Sequence, residues 1–254
     1  MSRSQWTIEY KHRVHKLQPG DRKGRNPLEG YARACGIQFG NVRQLCAQDP
    51  DFQEAMRLAQ GRTIVLHDRL INLFLLFKFF LPRMPGNSIA EFGSYTGGSA
   101  IMMAFLAKRY LNGANVYAFD TFSGIPDADN QIDVHLAGDF GKVNLPELKQ
   151  FIAANRLDNL HLVEGTFEKT LPDAVKTMGP LSLVHIDCDV QSSVAYCYEM
   201  TKALAVPGAY IVLDDPLTST CLGAFEAMEE LMIRRDGLHA EQAFPHMVFR
   251  SPKP

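Results

Sequence analysis

From Asn87 onward the sequence predicts a doubly wound α/β domain with a mostly parallel sheet. Short apolar runs alternate with amphipathic segments at the spacing of strand–helix–strand units. The runs are almost continuously apolar, as strands covered on both faces require. Strands are predicted at Ser88–Phe92, Asn115–Asp120, Leu160–Glu164, Leu181–Asp187 and Ala209–Asp214, with Met247–Arg250 as a closing edge strand. Helices are predicted at Gly97–Leu111, Pro146–Asn155, Glu168–Thr177, Gln191–Ala203 and Thr218–Arg235.

The leading part reads differently. Residues 11–26 are rich in Lys, Arg, His and Gly and end at Asn26-Pro27, the composition of a solvated arm. Asp49-Pro50 has the form of an N-cap and first helical residue, opening a helix through Gln60. A second helix is expected over Thr63–Leu81; it is apolar nearly all round after Ile71 and so should be buried, and Pro82 and Pro85-Gly86 end it. The expected organisation is an arm and helical extension over residues 1–60, then a catalytic domain over 61–254. Asp49–Leu81 is a candidate for a lid over the acceptor or for a homo-oligomer contact.

The 254 residues suffice for one sizeable core, and 46% apolar with 21% charged residues excludes disordered and collagen-like classes. Twenty-six basic against 28 acidic residues give a net charge of −2, without the basic excess of nucleic-acid or anionic-membrane binders. A small-molecule partner is expected, with no nucleic acid and no membrane. The longest apolar stretch, Ile71–Leu81, is interrupted by Asn72 and Lys78 and falls short of the ~20 residues that span a bilayer. Five cysteines without a CxxC pair indicate neither a zinc knuckle nor a disulfide framework. With no signal-peptide core at the start, a cytoplasmic protein is expected.

In doubly wound sheets ligands sit beyond the carboxyl ends of the strands. The first strand runs into Glu91-Phe92-Gly93-Ser94-Tyr95-Thr96-Gly97-Gly98-Ser99. Glycines there form either a tight turn or a cradle in which backbone approaches a ligand. The spacing is not that of dinucleotide-binding loops, and a phosphate-binding lysine is missing. Asp120 ends the second strand, placed either to bind both ribose hydroxyls of a nucleoside-type cofactor or to brace its own turn. His185-Ile186-Asp187-Cys188-Asp189 ends the fourth strand and Asp214-Asp215 the fifth. If these strands are neighbours, four carboxylates gather at one edge and repel unless a cation or proton shares them. Hard oxygen donors point to Mg²⁺, Mn²⁺ or Ca²⁺. His185, out of phase with the aspartates, is read as an interior residue; His135 and His246 have no informative neighbours.

These motifs, together with Gly138-Asp139-Phe140, Glu164-Gly165-Thr166-Phe167, Thr170-Leu171-Pro172 and Pro207-Gly208-Ala209-Tyr210, form an ordered series. The series resembles the macrocin O-methyltransferase family over residues 87–235. That family comprises enzymes dependent on S-adenosylmethionine and Mg²⁺ that methylate sugar hydroxyls on macrolide and aminocoumarin natural products. The resemblance implies a Rossmann-like class I methyltransferase fold. It further implies that Glu91, Gly93, Ser94, Tyr95, Gly97 and Ser99 cradle the methionine part of the cofactor. Asp120 would bind the ribose, while Ser123, Gly124, Thr166 and Phe167 would flank the nucleoside. Asp187, Asp214 and Asp215 would hold Mg²⁺ (or Mn²⁺), with Asp187 also at the cofactor, and Asp189 would be the general base toward a hydroxylated small-molecule acceptor.

The chain departs from the family pattern at Cys188, where Gly is usual, at Val190-Gln191, where Leu-Tyr is usual, and at Pro216, often Tyr. All adjoin the acceptor side. Three other readings compete: a catechol-type phenolic O-methyltransferase, a glycosyltransferase using Asp187-Cys188-Asp189 as an Asp-x-Asp motif, and a non-enzymatic cofactor-binding scaffold.

Overall fold

The computed structural model describes residues 42–129 and 131–252. They divide into two compact units, 42–53 and 54–252. The basic run at 11–26 lies outside the described residues. Helix α1 (Val42–Gln48) precedes α2 (Pro50–Ala59), within which the division falls. The expected N-cap forms: Asp49 Oδ1 accepts the backbone N–H of Asp51 at 3.0 Å and of Phe52 at 3.4 Å.

In the larger unit, seven strands form one sheet in the order β3-β2-β1-β4-β5-β7-β6. These are β1 (Ser88–Phe92), β2 (Asn115–Asp120), β3 (Leu160–Glu164), β4 (Leu181–Ile186), β5 (Ala205–Leu213), β6 (Ala240–Gln242) and β7 (Met247–Arg250). The first five are parallel, and at one edge β7 runs antiparallel to both β5 and β6. β1 and β4 are buried along their whole length, which is why their sequences do not alternate. Crossover helices are α4 (Gly98–Tyr110), α5 (Leu145–Ala154), α6 (Phe167–Ala174) and α7 (Gln191–Thr201), and α8 (Leu222–Ala227) follows β5. The chain winds outward from β1 to β3, then returns to β4 on the other side of β1. That reversal opens a crevice at the carboxyl edge between β1 and β4.

Two expected helices are broken. Thr63–Leu81 forms as α3 (His67–Leu75), a π-helical turn at Leu76–Phe80 and a 3₁₀ turn at Leu81–Arg83. Its first residues stay irregular because the Arg62 carbonyl is already engaged, accepting from Gly98 N at 2.8 Å and Thr96 Oγ1 at 2.6 Å. Thr218–Arg235 forms as a turn, then α8, then a π-helical run at Met228–Arg235. Within that turn Thr218 N donates to Asp215 O at 2.7 Å and Cys221 N to Thr218 O at 3.0 Å, closing it tightly after Pro216. Among the described residues, no helix is long and apolar enough to cross a membrane.

Candidate active site

A cavity of about 340 Å³ lies over the carboxyl ends of β1, β2, β4 and β5. Ladder hydrogen bonds continue just past the strands and fix its floor: Gly93 N to Phe119 O at 3.0 Å, Asp187 N to Phe92 O at 2.8 Å and Asp214 N to Ile186 O at 3.0 Å. Of the residues expected at the site, Gly93, Ser94, Tyr95, Ser99, Asp120, Gly124, Thr166, Phe167, Asp187, Asp189, Asp214 and Asp215 line this cavity. Glu91, Gly97 and Ser123 do not. Glu91 is wholly buried beneath the floor, with Oε1 3.1 Å from His185 Nδ1. Its alternation within β1 sends the side chain into the sheet's packing rather than past its end.

Two glycines of the β1 loop, Gly93 and Gly98, are required by the protein's own backbone. Gly93 has φ +88°, and a Cβ there would lie 1.7 Å from the Asp187 carbonyl oxygen. A Cβ on Gly98 would lie 2.4 Å from the Arg62 carbonyl oxygen. The loop is therefore clamped between the β4 end and the 62–66 segment. Asp120 braces it from the side: Oδ2 accepts Tyr95 N at 2.7 Å and Oδ1 accepts Phe122 N at 2.6 Å. Burial pushes the Asp120 carboxyl up, and these two N–H groups oppose that shift. Asp120 thus fills the turn-bracing role and faces the cavity as well. Ser94 Oγ, in contrast, is buried without a hydrogen-bond partner at the cavity wall.

The acidic end is built otherwise. β4 stops at Ile186, and the chain turns so that Asp189 has φ +60°. Asp187 and Asp189 therefore reach the cavity through this turn, not through the strand alternation expected of them. Asp189 N donates to Asp215 Oδ2 at 2.8 Å. Oxygens of Asp187, Asp214 and Asp215 lie within 4.8 Å of one another. Burial, then the charges of its acidic neighbours, holds the Asp187 carboxyl well above the usual range; burial and Asp189 and Asp214 do the same to Asp215.

Asp214 is the exception. Burial pushes it up, but the His246 hydrogen bond and the charges of His246 and Arg69 outweigh burial and leave it low. Arg69 pairs with Asp214 Oδ2 and donates to Thr218 Oγ1 at 3.1 Å, while His246 Nε2 sits 2.9 Å from Asp214 Oδ1. Asn72 Nδ2 donates to His246 Nδ1 at 3.0 Å, which assigns the ring proton to Nε2. Burial lowers His246 to about 4, so the ring is neutral near neutral pH.

Three contributors were invisible in the sequence. Arg69, His246 and His135 reach the carboxylates from α3, the β6–β7 connection and the long loop after β2. His135 Nε2 lies 3.5 Å from Asp189 Oδ1. His185 is interior as expected, yet its unpartnered Nε2 lies 4.0 Å from Asp214 Oδ1. Both cavity-lining arginines are committed to carboxylates: Arg62 binds Glu147 with two bonds at 2.9 and 2.6 Å, and Arg69 pairs with Asp214. Among the described residues, the cavity thus offers no uncommitted arginine for the diphosphate of a nucleotide-sugar donor.

A parallel sheet reversed between β1 and β4, a glycine-clamped first loop and an acid ending β2 define a Rossmann-like class I methyltransferase. The chain belongs to the macrocin O-methyltransferase family, whose profile matches residues 44–236. That is a family of S-adenosylmethionine-dependent O-methyltransferases. A tetracenomycin-C rhamnosyl 4′-O-methyltransferase of Streptomyces olivaceus is 26% identical over 174 residues, spanning 65% of this chain and 66% of that enzyme. Demethyldecarbamoylnovobiocin O-methyltransferase of Streptomyces niveus is 24% identical over 200 residues, covering 71% and 76% of the two chains. The crystal structure of the calicheamicin methyltransferase CalS11 shares the fold with a TM-score of 0.64 at 17% identity, covering 92% of this chain and 98% of that one.

Proposed function

We propose that this chain methylates a hydroxyl on the sugar of a glycosylated small molecule, using S-adenosylmethionine and a divalent cation. The relatives named above act on sugar-bearing natural products, which supports that acceptor class. The observation that carries the reading is the gathering of four aspartates at the ends of β4 and β5, two of them held above their usual range by burial and by the charge of their acidic neighbours. Arg69 pairs directly with Asp214, and its charge offsets only part of what raises Asp215. Three all-oxygen donors within 4.8 Å fit a hard cation such as Mg²⁺ or Mn²⁺.

Asp187, Asp214 and Asp215 would hold that cation. Asp214 is the most committed of the three, since each of its oxygens already accepts one bond. A bound divalent cation lowers the pKa of a coordinated hydroxyl. S-adenosylmethionine supplies an already electrophilic methyl group. Gly93, Ser94, Tyr95, Ser99, Asp120, Gly124, Thr166 and Phe167 would line its side of the cavity, and the unpartnered Ser94 Oγ fits a polar ligand there.

Asp189 takes the proton from the acceptor hydroxyl. Burial raises its proton affinity toward that of a useful base, while His135 and the Cys221 thiol pull the other way. Holding hydroxyl, base and methyl donor in one enclosed cavity supplies much of the rate. Residues 61–254 would form the catalytic domain and 1–60 an extension.

The test is mass spectrometry of a panel of glycosides, catechols and nucleotide sugars incubated with the protein, S-adenosylmethionine and Mg²⁺. Gain of one methyl on the sugar of a glycoside is expected. Methylation confined to catechols would replace the sugar reading with the phenolic one.

A further inference from the structure

We propose that His135, Asp189 and Cys221 form a second metal site beside the carboxylate set, one suited to Zn²⁺ or Co²⁺ rather than Mg²⁺. The three residues come from separate segments: the loop after β2, the turn after β4 and the turn before α8. Their donor atoms lie within 4.8 Å of one another. His135 Nε2 and Cys221 Sγ are each 3.5 Å from Asp189 Oδ1. Tetrahedral zinc, with bonds of roughly 2.0–2.3 Å, sets neighbouring donors about 3.3–3.8 Å apart. Two of the three pairs already stand at that spacing.

A second observation points the same way. Asp139 Oδ2 lies 3.7 Å from His135 Nδ1, on the far side of the imidazole. A carboxylate behind a ligating histidine fixes the ring's tautomer and orientation. The donor chemistry separates the two sites. Nitrogen and sulfur suit borderline metals, whereas the three oxygens of Asp187, Asp214 and Asp215 suit hard ones. His135 and Asp189 line the cavity, so an ion has a way in. Bound there, it would engage Asp189 and stop the enzyme. That consequence rests on Asp189 being the base; the binding does not.

The experiment titrates Co²⁺ into the full-length protein in saturating Mg²⁺ and follows the sulfur-to-cobalt charge-transfer absorption in the near ultraviolet. The wild type should develop this band to saturation at one equivalent. Cys221→Ser should abolish it, and His135→Gln should weaken Co²⁺ binding by about tenfold or more. His135 is a fifth exposed on a loop, so its replacement reads the site even if the buried serine variant fails to fold. A wild type without the band, or a band unchanged in either folded variant, overturns the proposal. Absence of methyl transfer in the Mg²⁺-loaded enzyme would instead contradict the methyltransferase reading and leave the absorption result standing.

Discussion

On the β1–β2 side of the cavity, Asp120 gives both carboxylate oxygens to backbone N–H groups, and Gly93 and Gly98 pack against protein backbone. On the β4–β5 side, Asp187 and Asp215 are buried beside the charges of acidic neighbours, and Asp214 alone of the three pairs directly with a cation. Apart from the unpartnered Ser94 Oγ, the first half is a wall that the protein satisfies by itself. The second half is electrostatically incomplete, and a cation in it would relieve repulsion that the fold maintains. Under the proposed function, preorganised shape would serve to hold the cofactor and unrelieved charge to activate the acceptor.

The largest effect should come from Asp189→Asn, which removes the base while leaving the cofactor wall intact. Turnover should fall by roughly 10²–10⁴-fold, with S-adenosylhomocysteine affinity unchanged by calorimetry. Loss of cofactor affinity along with turnover would show that the two halves are not separable. Next is Gly93→Ala. Its Cβ would meet the Asp187 carbonyl at 1.7 Å in a left-handed backbone. Destabilisation of about 3 kcal/mol or more is expected in urea unfolding. A smaller cost would mean that the wall is less rigid than described.

The pH dependence of stability should differ with and without Mg²⁺. In the metal-free protein Asp187 and Asp215 are raised, so the folded state keeps protons that the unfolded chain has lost. Their contribution is present below the ordinary value of 3.8 and is lost as pH rises through the folded value. His246 acts oppositely, being lowered from 6.5 to about 4 when folded, so stability rises across that interval. Saturating Mg²⁺ should remove the first trend and leave the second. His246→Gln should flatten the second, and melting curves at stepped pH would show both. Identical slopes with and without Mg²⁺ would contradict the charge argument. The smallest effect is expected of Arg62→Ala, which breaks a partly exposed pair with Glu147. Denaturant unfolding should register only a slight shift of the midpoint, because solvent screens the exposed partner.

Much of the fold was legible because its strands carry the signature of two-sided burial. β1, β2 and β3 begin and end where the apolar runs do, and the switch between β1 and β4 brings the strand-end aspartates together as their positions implied. Helix continuity was harder. Residues 63–66 precede the helix because Thr63, Ile64 and Val65 are β-branched and the carbonyl of Arg62 serves the glycine loop, a contact set by tertiary structure. Asp189 reached its place by a left-handed turn rather than by strand alternation. His135 and His246 could not be placed, because each meets its aspartate across dozens of residues and leaves no local pattern. Glu91 lies beneath the cavity rather than on its lining, because adjacency to a glycine loop does not say which face of a strand a side chain takes.

The most direct test of the cation claim is methyl transfer to a glycoside acceptor followed by mass spectrometry through chelation and restoration. Product should vanish in excess EDTA and return when Mg²⁺ is added beyond the chelator, with Asp187→Asn inactive throughout. Full product formation in excess EDTA would contradict the account.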